Sequence, residues 1–253
     1  MNCHICQQSV TMFAQSTILS KYQASYFRCT ACGFIQIANP TWLPEAYSHA
    51  ISKLDTGIMQ RNLANADLTC AAIRLFAPNS KLFLDYGGGH GTFVRMMRDR
   101  GFDFRWSDAF AQNLHARGFE HREGTRYDLL TSFEVLEHLC EPLTDLAEMM
   151  SLADNVLVST LVLPQPAPQP GEWWYYIPNS GQHISFYSHA ALQIIAEKFG
   201  RYLVSNGFIH LFSKTRNSDR IFRLVTRPKA AKLIGAVANR PSLTQQDFSE
   251  FAA

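Results

Sequence analysis

Residues 81–93 read KLFLDYGGGHGTF, and they decide the fold. An apolar run (Leu82, Phe83, Leu84) leads into Asp85, then Gly87, Gly88, Gly89 and Gly91, then a helical pattern. This is strand, glycine turn, helix: the backbone turns sharply and lets a ligand lie against it without Cβ clashes. A phosphate-binding P-loop requires GxxxxGK followed by Ser or Thr, and no Lys follows these glycines. The dinucleotide fingerprint requires GxGxxG or GxGxxA. From Gly87 its last position is Thr92 and from Gly89 it is Val94, so both registers fail. What remains is Asp85-x-Gly87-x-Gly89-x-Gly91, an acid two residues before a glycine ladder. A glycine-rich turn with no ligand is the plain alternative.

Outward from the turn, helix and strand alternate. Apolar spacing from Ile58 to Phe76 predicts an amphipathic helix that stops before Pro78. A helix is expected over about 91–100 and a strand over about 102–107, ending at Asp108. An acid at that strand tip is placed to accept from a ribose, or else to cap the next helix. Residues 118–125 should hold a third strand, though they are short and polar. Residues 127–139, YDLLTSFEVLEHL, predict a strand running into a loop with Phe133, Glu134, Glu137 and His138. A helix (141–153), a strand (155–163), a helix (190–199) and two strands (about 201–213 and 221–227) complete an α/β pattern.

The glycine run with Asp85, the acid Asp108 and the FEVLEHL run resemble motifs I, II and IV of the class I S-adenosylmethionine (SAM) methyltransferases. Residues 57–227 as a whole resemble the Methyltransf_23 type. The resemblance implies a Rossmann-like seven-stranded sheet. It implies SAM as cofactor, held by Asp85, Gly87, Gly89, Gly91, Asp108, Phe133 and Glu134. Residues 118–125 depart from the family pattern in lacking an acidic adenine contact. The resemblance further implies a small-molecule acceptor such as a sugar nucleotide or polysaccharide precursor. An RNA methyltransferase and a non-catalytic SAM-binding scaffold are the alternatives.

After Pro164 the chain reads PQPAPQPGEWWYYIPNSGQHISFYSH. Its prolines rule out an ordinary core helix or strand. It follows the fifth strand, on the sheet edge where open α/β folds bind ligands, and reads as an aromatic lid. Trp173, Trp174, Tyr175, Tyr176 and Tyr187 are its expected substrate contacts; a brace for an irregular loop or a homodimer contact is the other reading. His183 in the lid is the first candidate base and His138 the second, because imidazole titrates near neutrality. For His138 and Glu137, a place in the first turn of the next helix is the competing view.

Two CxxC pairs, Cys3/Cys6 and Cys29/Cys32, stand 22 residues apart. Two such knuckles complete a tetrahedral Cys₄ zinc site, and metal would supply much of the stability of so small a module. The chain thus divides into a zinc ribbon (1–40), a linker and N-terminal helix (41–77), a SAM-binding core (78–228) with the lid at 164–189, and a C-terminal helix and tail (229–253). An apolar content of 47% suits a sizeable core, and a net charge of +2 favours no class of partner. Residues 214–240 are basic, which reads as a solvated face or an anion contact. The ribbon carries only Lys21 and Arg28, which argues against nucleic acid. No run approaches the roughly 18 apolar residues of a membrane span, and Cys3 and Cys6 interrupt any leader-like pattern. A cytoplasmic protein is expected, with its cysteines as thiols or metal ligands.

Overall fold

A computed structural model describes residues 1–48 and 55–252. The chain opens with an antiparallel ribbon of β1 (Val10–Ile18), β2 (Tyr22–Cys29) and β3 (Ile35–Ile37). Alternation in β2 turns Ala24 and Tyr26 inward. A short helix, α1 (Leu43–Ala46), follows Trp42, whose indole N–H donates to the Gly181 carbonyl at 2.8 Å. The predicted linker is therefore fastened to the lid at that point; its residues 49–54 lie outside the described residues.

The core then runs α2 (Ile58–Phe76), β4 (Leu82–Tyr86), α3 (Thr92–Asp99), β5 (Asp103–Ser107), β6 (Tyr127–Ser132), α4 (Pro142–Leu152) and β7 (Ala153–Ser159). After the lid, with its short strand β8 (Ser185–Phe186), come α5 (His189–Lys198), β9 (Tyr202–Ser205), β10 (Ile209–Ser213), α6 (Asp219–Val225), α7 (Pro228–Ala238) and α8 (Thr244–Ala252). The central sheet has the order β5-β4-β6-β7-β10-β9. Its first four strands are parallel, and β10 is antiparallel to both of its neighbours. This is the parallel-rich α/β sheet that the alternation predicts, of the Rossmann-like kind that the resemblance implies. The parallel strands end together at Tyr86, Ser107, Ser132 and Ser159, and that edge carries the site.

Two predicted strands take other forms. The third strand expected at 118–125 is reduced to a single parallel bridge, Trp106 to Glu120, so the sheet holds six strands and not seven among the described residues. The Glu120 carboxylate accepts from Asn113 Nδ2 (2.7 Å) and the Gly118 N–H (2.9 Å), which curls the chain locally instead of extending it. The strand expected at 221–227 is α6. Ser218 caps it, and Phe222 and Val225, three apart, face inward. The terminal hairpin closes earlier, at Asn206-Gly207, where Asn206 Oδ1 accepts from the Phe208 and Ile209 N–H groups.

Several of the basic residues at 214–240 are structural. Lys214 pairs with Asp154 at 2.6 Å, Arg223 donates to the Ser205 carbonyl and Arg240 to the Ser80 carbonyl. Buried Arg98 on α3 forms a pair with Asp247 on α8 at 2.6 Å and anchors the C-terminal helix. Among the described residues, no helix is long and apolar enough to cross a membrane.

The ribbon and the lid are one unit. β8 adds to the ribbon beside β3, pairing Phe186 with Ile35 and Ser185 with Gln36, so the second sheet runs β1-β2-β3-β8. Tyr26, Ile35, Trp42, Tyr175, Tyr176 and Phe186 share a single buried core. Among the described residues, the strand β8 of the proline-rich segment takes its partner from the ribbon.

Candidate active site

The glycine turn is built for close approach. Gly87 (φ 72°) and Gly89 (φ 53°) both lie in the left-handed region. A Cβ at Gly87 would sit 2.5 Å from Val135 Cγ2, so this glycine lets the turn pack on the FEVLEHL loop. At Gly89 a Cβ would meet nothing within 4 Å, which leaves backbone bare toward open space. That is a cradle for a ligand, and SAM, which carries no phosphate for a lysine to hold, fits it. Asp85 is buried at the end of β4 and accepts from Thr131 Oγ1 at 2.7 Å. Burial, reinforced by the charge of Asp108, pushes its carboxyl up to about 7 despite that bond.

Asp108 is used on both oxygens. Oδ2 accepts from the Gly89 N–H at 2.9 Å, and Oδ1 accepts from the N–H groups of Phe110 and Ala111. The capping reading holds for Oδ1, although no helix follows; Oδ2 braces the glycine turn. The indole of Trp106 donates to the Gly89 carbonyl at 2.8 Å and closes the same turn from the side.

In the FEVLEHL loop, Phe133 packs edge-on against Phe93 of α3, 5.3 Å between ring centroids. It thus supports the turn from behind. Glu134 has φ 55°, unusual for a residue with a side chain. Ser159 holds it there: the serine oxygen accepts from the Glu134 N–H (2.8 Å), and its O–H donates to Glu134 Oε1 (2.7 Å). Burial, and then the Glu137 charge, pushes Glu134 up to about 7. Residues Leu136–His138 form a single 3₁₀ turn, not the first turn of α4.

That turn sets Glu137 and His138 beside His183 of the lid, with one ligand atom from each within 4.8 Å of the others. The two imidazoles meet edge to face at 5.0 Å. His183 Nδ1 donates to the Tyr175 carbonyl at 2.7 Å, which makes its Nε2 the unprotonated nitrogen of the neutral ring. His138 Nδ1 shares a 2.7 Å hydrogen bond with the Tyr47 hydroxyl. Burial holds both imidazoles below the ordinary histidine range; His138, with His183 alongside, falls to about 3. Both are neutral at physiological pH. Glu137 is fully buried and is pushed up to about 7 by that burial.

The lid aromatics separate into two groups. Tyr176 and Tyr187 are buried against the ribbon, Tyr176 edge-on to Tyr26 at 5.5 Å and Tyr187 against Phe34 at 5.0 Å. This corrects the expectation that they contact substrate: both rings are spent on the ribbon–lid core. Tyr175 is buried too, with its hydroxyl at the Leu161 N–H and its ring against His183. It positions that histidine. Trp173 is partly exposed and Trp174 is 69% exposed, so these two remain available to a ligand. Sequence reasoning missed Tyr47, Trp106, Ser159 and Arg61. Arg61, near the start of α2, is bound to Asp55 at 2.6 Å and lends its positive charge to Glu134 and Glu137. The linker Tyr47 had one readable signal, an aromatic residue in a segment otherwise read as punctuation.

In the ribbon, Cys3, Cys6, Cys29 and Cys32 converge. Cys3 Sγ lies 3.6 Å from Cys32 Sγ, and Cys6 Sγ lies 3.4 Å from Cys29 Sγ. Tetrahedral zinc with bonds of about 2.3 Å sets sulfurs about 3.8 Å apart, so the set fits that ion. Each knuckle also turns a backbone N–H onto sulfur, Ile5 onto Cys3 and Cys32 onto Cys29, both at 3.4 Å. The Cys32 thiol donates to Cys3 and draws it below the ordinary thiol range, toward the thiolate a metal requires.

The "Methyltransferase domain" family Methyltransf_23 matches residues 59–206. No curated protein matches the chain by sequence. Solved structures show remote similarity. An O-methyltransferase family protein from Burkholderia thailandensis is 12% identical, with 70% of this chain and 68% of that chain covered and a TM-score of 0.47. Magnesium protoporphyrin IX methyltransferase from Synechocystis, with SAH bound, is 15% identical, with 68% and 91% covered and a TM-score of 0.45. Human N-acetylserotonin methyltransferase with SAM is 15% identical, with 60% and 52% covered and a TM-score of 0.43. The family match takes in more than half of the chain, including the glycine turn, Asp108, the FEVLEHL loop and the lid. The chain therefore belongs to the Methyltransf_23 methyltransferase domains and is a SAM-dependent methyltransferase of class I fold.

Proposed function

We propose that this methyltransferase acts on a hydroxyl-bearing small molecule, of the sugar-nucleotide or polysaccharide-precursor kind, bound between the glycine turn and the lid. One observation carries the reading: Glu137 and His138, in a loop whose Val135 packs on the glycine turn, lie close to His183 of the lid at the sheet edge. Bound SAM supplies a methyl group on a sulfonium that is already a good leaving group. The chain's own task is then alignment and proton removal. Asp85, Gly87, Gly89, Gly91, Asp108 and Glu134 line the cofactor side. Trp173 and Trp174 offer aromatic faces to the acceptor. The neutral His183, its Nδ1–H fixed on the Tyr175 carbonyl, presents Nε2 for the acceptor proton, with His138 behind it. Zinc is the metal we assign to Cys3, Cys6, Cys29 and Cys32, in a structural role, because four thiolates leave no open position. The ribbon's Lys21 is paired with Glu45 at 2.7 Å, which weighs against an RNA-docking surface.

The test is incubation with labelled SAM and a panel of nucleotide sugars, small metabolites and RNA, read by mass for the gain of one CH₂. His183→Ala and His183→Gln are expected to keep SAM affinity and to lose turnover by about 10²–10⁴-fold. Wild-type turnover in both variants would overturn the assignment of the base.

A further inference from the structure

The geometry points to a second metal site, separate from the four cysteines: a divalent cation held by the Glu137 carboxylate and by His138 and His183 through Nε2. The first reason is what the three groups lack. Glu137 is fully buried, and neither carboxylate oxygen has a hydrogen-bond partner among the described residues. The Tyr175 and Thr160 hydroxyls come near enough to favour its ionised form, yet they bond each other at 3.3 Å and not the carboxylate. A buried carboxylate with no partner is strongly destabilising when ionised, and a cation removes that penalty.

The second reason is the direction of the imidazoles. A hydrogen-bonded acid–base relay would set a ring N–H on the Glu137 carboxylate. Here the Nδ1 atoms are engaged elsewhere, on the Tyr175 carbonyl and the Tyr47 hydroxyl. The neutral His183 ring therefore keeps Nε2 as a lone-pair donor and offers no N–H there to the Glu137 carboxylate. Metal-binding histidines carry this kind of outer partner on the second nitrogen, which fixes both tautomer and orientation.

The third reason is rigidity. The 3₁₀ turn and the lid are clamped by three bonds: Ile184 N–H to the Glu137 carbonyl (2.8 Å), the Tyr187 hydroxyl to the Leu136 carbonyl (2.9 Å) and the Ser185 hydroxyl to the Leu139 carbonyl (2.7 Å). Ligands from two distant stretches of chain are thereby fixed close to ligation distance. Bonds of about 2.0–2.2 Å set tetrahedral donor atoms about 3.3–3.6 Å apart, so closing from 4.8 Å requires each donor to move by less than about 1 Å.

Two imidazoles and one carboxylate select a first-row transition ion such as Co²⁺ or Zn²⁺, or more weakly Mn²⁺, over Ca²⁺, and three protein ligands leave positions open for oxygen. The catalytic consequence rests on the proposed hydroxyl acceptor. Its oxygen would occupy an open position, its O–H bond would break with the proton lost to solvent, and the oxygen would form the new C–O bond as the methyl–sulfur bond breaks. His183 would then hold the ion rather than carry the proton.

Mn²⁺ binds thiolates poorly, so it probes this site and spares the ribbon. Full-length protein with its ribbon metal in place is titrated with Mn²⁺ in the absence of SAM, and free Mn²⁺ is read by electron paramagnetic resonance. The expected result is one Mn²⁺ per chain, with affinity lowered at least tenfold in Glu137→Gln and about tenfold in Tyr47→Phe, which removes only the outer partner of His138. Lack of Mn²⁺, Co²⁺ and Zn²⁺ uptake outside the ribbon in the wild type would overturn the site, as would unchanged affinity in Glu137→Gln. Ion binding with no methylation of any hydroxyl compound, whether or not the ion is present, would uphold the site and overturn the hydroxyl acceptor. Undiminished turnover in protein free of ions outside the ribbon would overturn the ion's role and leave His183 as the base.

Discussion

The glycine turn and the ribbon–lid unit flank the same sheet edge, and they are built in opposite ways. The turn is local. Its shape follows from Gly87 and Gly89 at positive φ and from partners within a few residues of the ends of β4 and β5. The ribbon–lid unit is assembled from stretches some 150 residues apart in sequence, β3 beside β8 and Tyr26 against Tyr176. His183 belongs to the second, so its placement depends on an N-terminal module far from it in sequence.

The largest expected effect breaks that dependence. The double variant Cys29→Ser with Cys32→Ser removes half of the thiolate set. The ribbon is expected to lose stability on the order of 10 kcal/mol, the scale of a structural zinc site. Because β8 is bonded to β3, hydrogen exchange should rise at Ile37, whose N–H donates to the Ile184 carbonyl at 3.1 Å, and through residues 184–187 together. The backbone of β4 and β6 should stay protected. Retained protection across 184–187 in a chain with a melted ribbon would show that the lid stands without it.

Tyr176→Ala comes next. The ring is buried between Tyr26 and Phe186, and a large aromatic deleted from a core destabilises by about 3–5 kcal/mol. Denaturant unfolding measures this. If instead stability is unchanged and acceptor KM rises, Tyr176 is a substrate contact after all.

On the other side of the comparison, Gly87→Ala strains a left-handed residue by about 1–2 kcal/mol and drives its Cβ against Val135. SAM affinity, by calorimetry, should fall about tenfold or more while the ribbon's hydrogen exchange is unchanged. A smaller effect comes from protons. Asp85 has its pKa raised to about 7 in the free protein, so it is largely protonated below that pH. Binding of cationic SAM favours the ionised form and must release that proton. Affinity therefore rises with pH and weakens as pH falls through 7, by about tenfold between pH 8 and pH 6, and Asp85→Asn should flatten the profile. A flat wild-type profile would place Asp85 away from the bound cation.

The contrast also explains what the sequence could reveal. Asp85 and the glycines were legible because their conformations are set largely by neighbours in the chain, as were the CxxC knuckles; the FEVLEHL run was legible as an acid-bearing strand end, but Ser159 and the lid set its final shape. The third strand was not, because Glu120 curls residues 113–120 through side-chain bonds that no periodicity encodes. The pairing of β8 with β3 was hidden for a related reason. A two-residue strand in a proline-rich segment has no pattern of its own and exists only because an edge is offered to it. Tyr176 and Tyr187 were read as substrate contacts since an aromatic residue looks the same in sequence whether its ring faces a ligand or a ribbon.

Trp174 gives the finest test of the division within the lid. It is adjacent to buried Tyr175, yet it is 69% exposed and edge-on to that ring at 5.4 Å. Removal of its ring forfeits little packing, so Trp174→Ala should change stability by less than about 0.5 kcal/mol. If its exposed face stacks on the acceptor, KM should rise a few-fold with kcat nearly constant, since uniform binding and not transition-state stabilisation would be lost. If KM is unchanged as well, the acceptor does not use the outer face of the lid. It must then lie deeper, against Trp173 and the Glu137–His138–His183 wall, where the ribbon-dependent half of the site holds it.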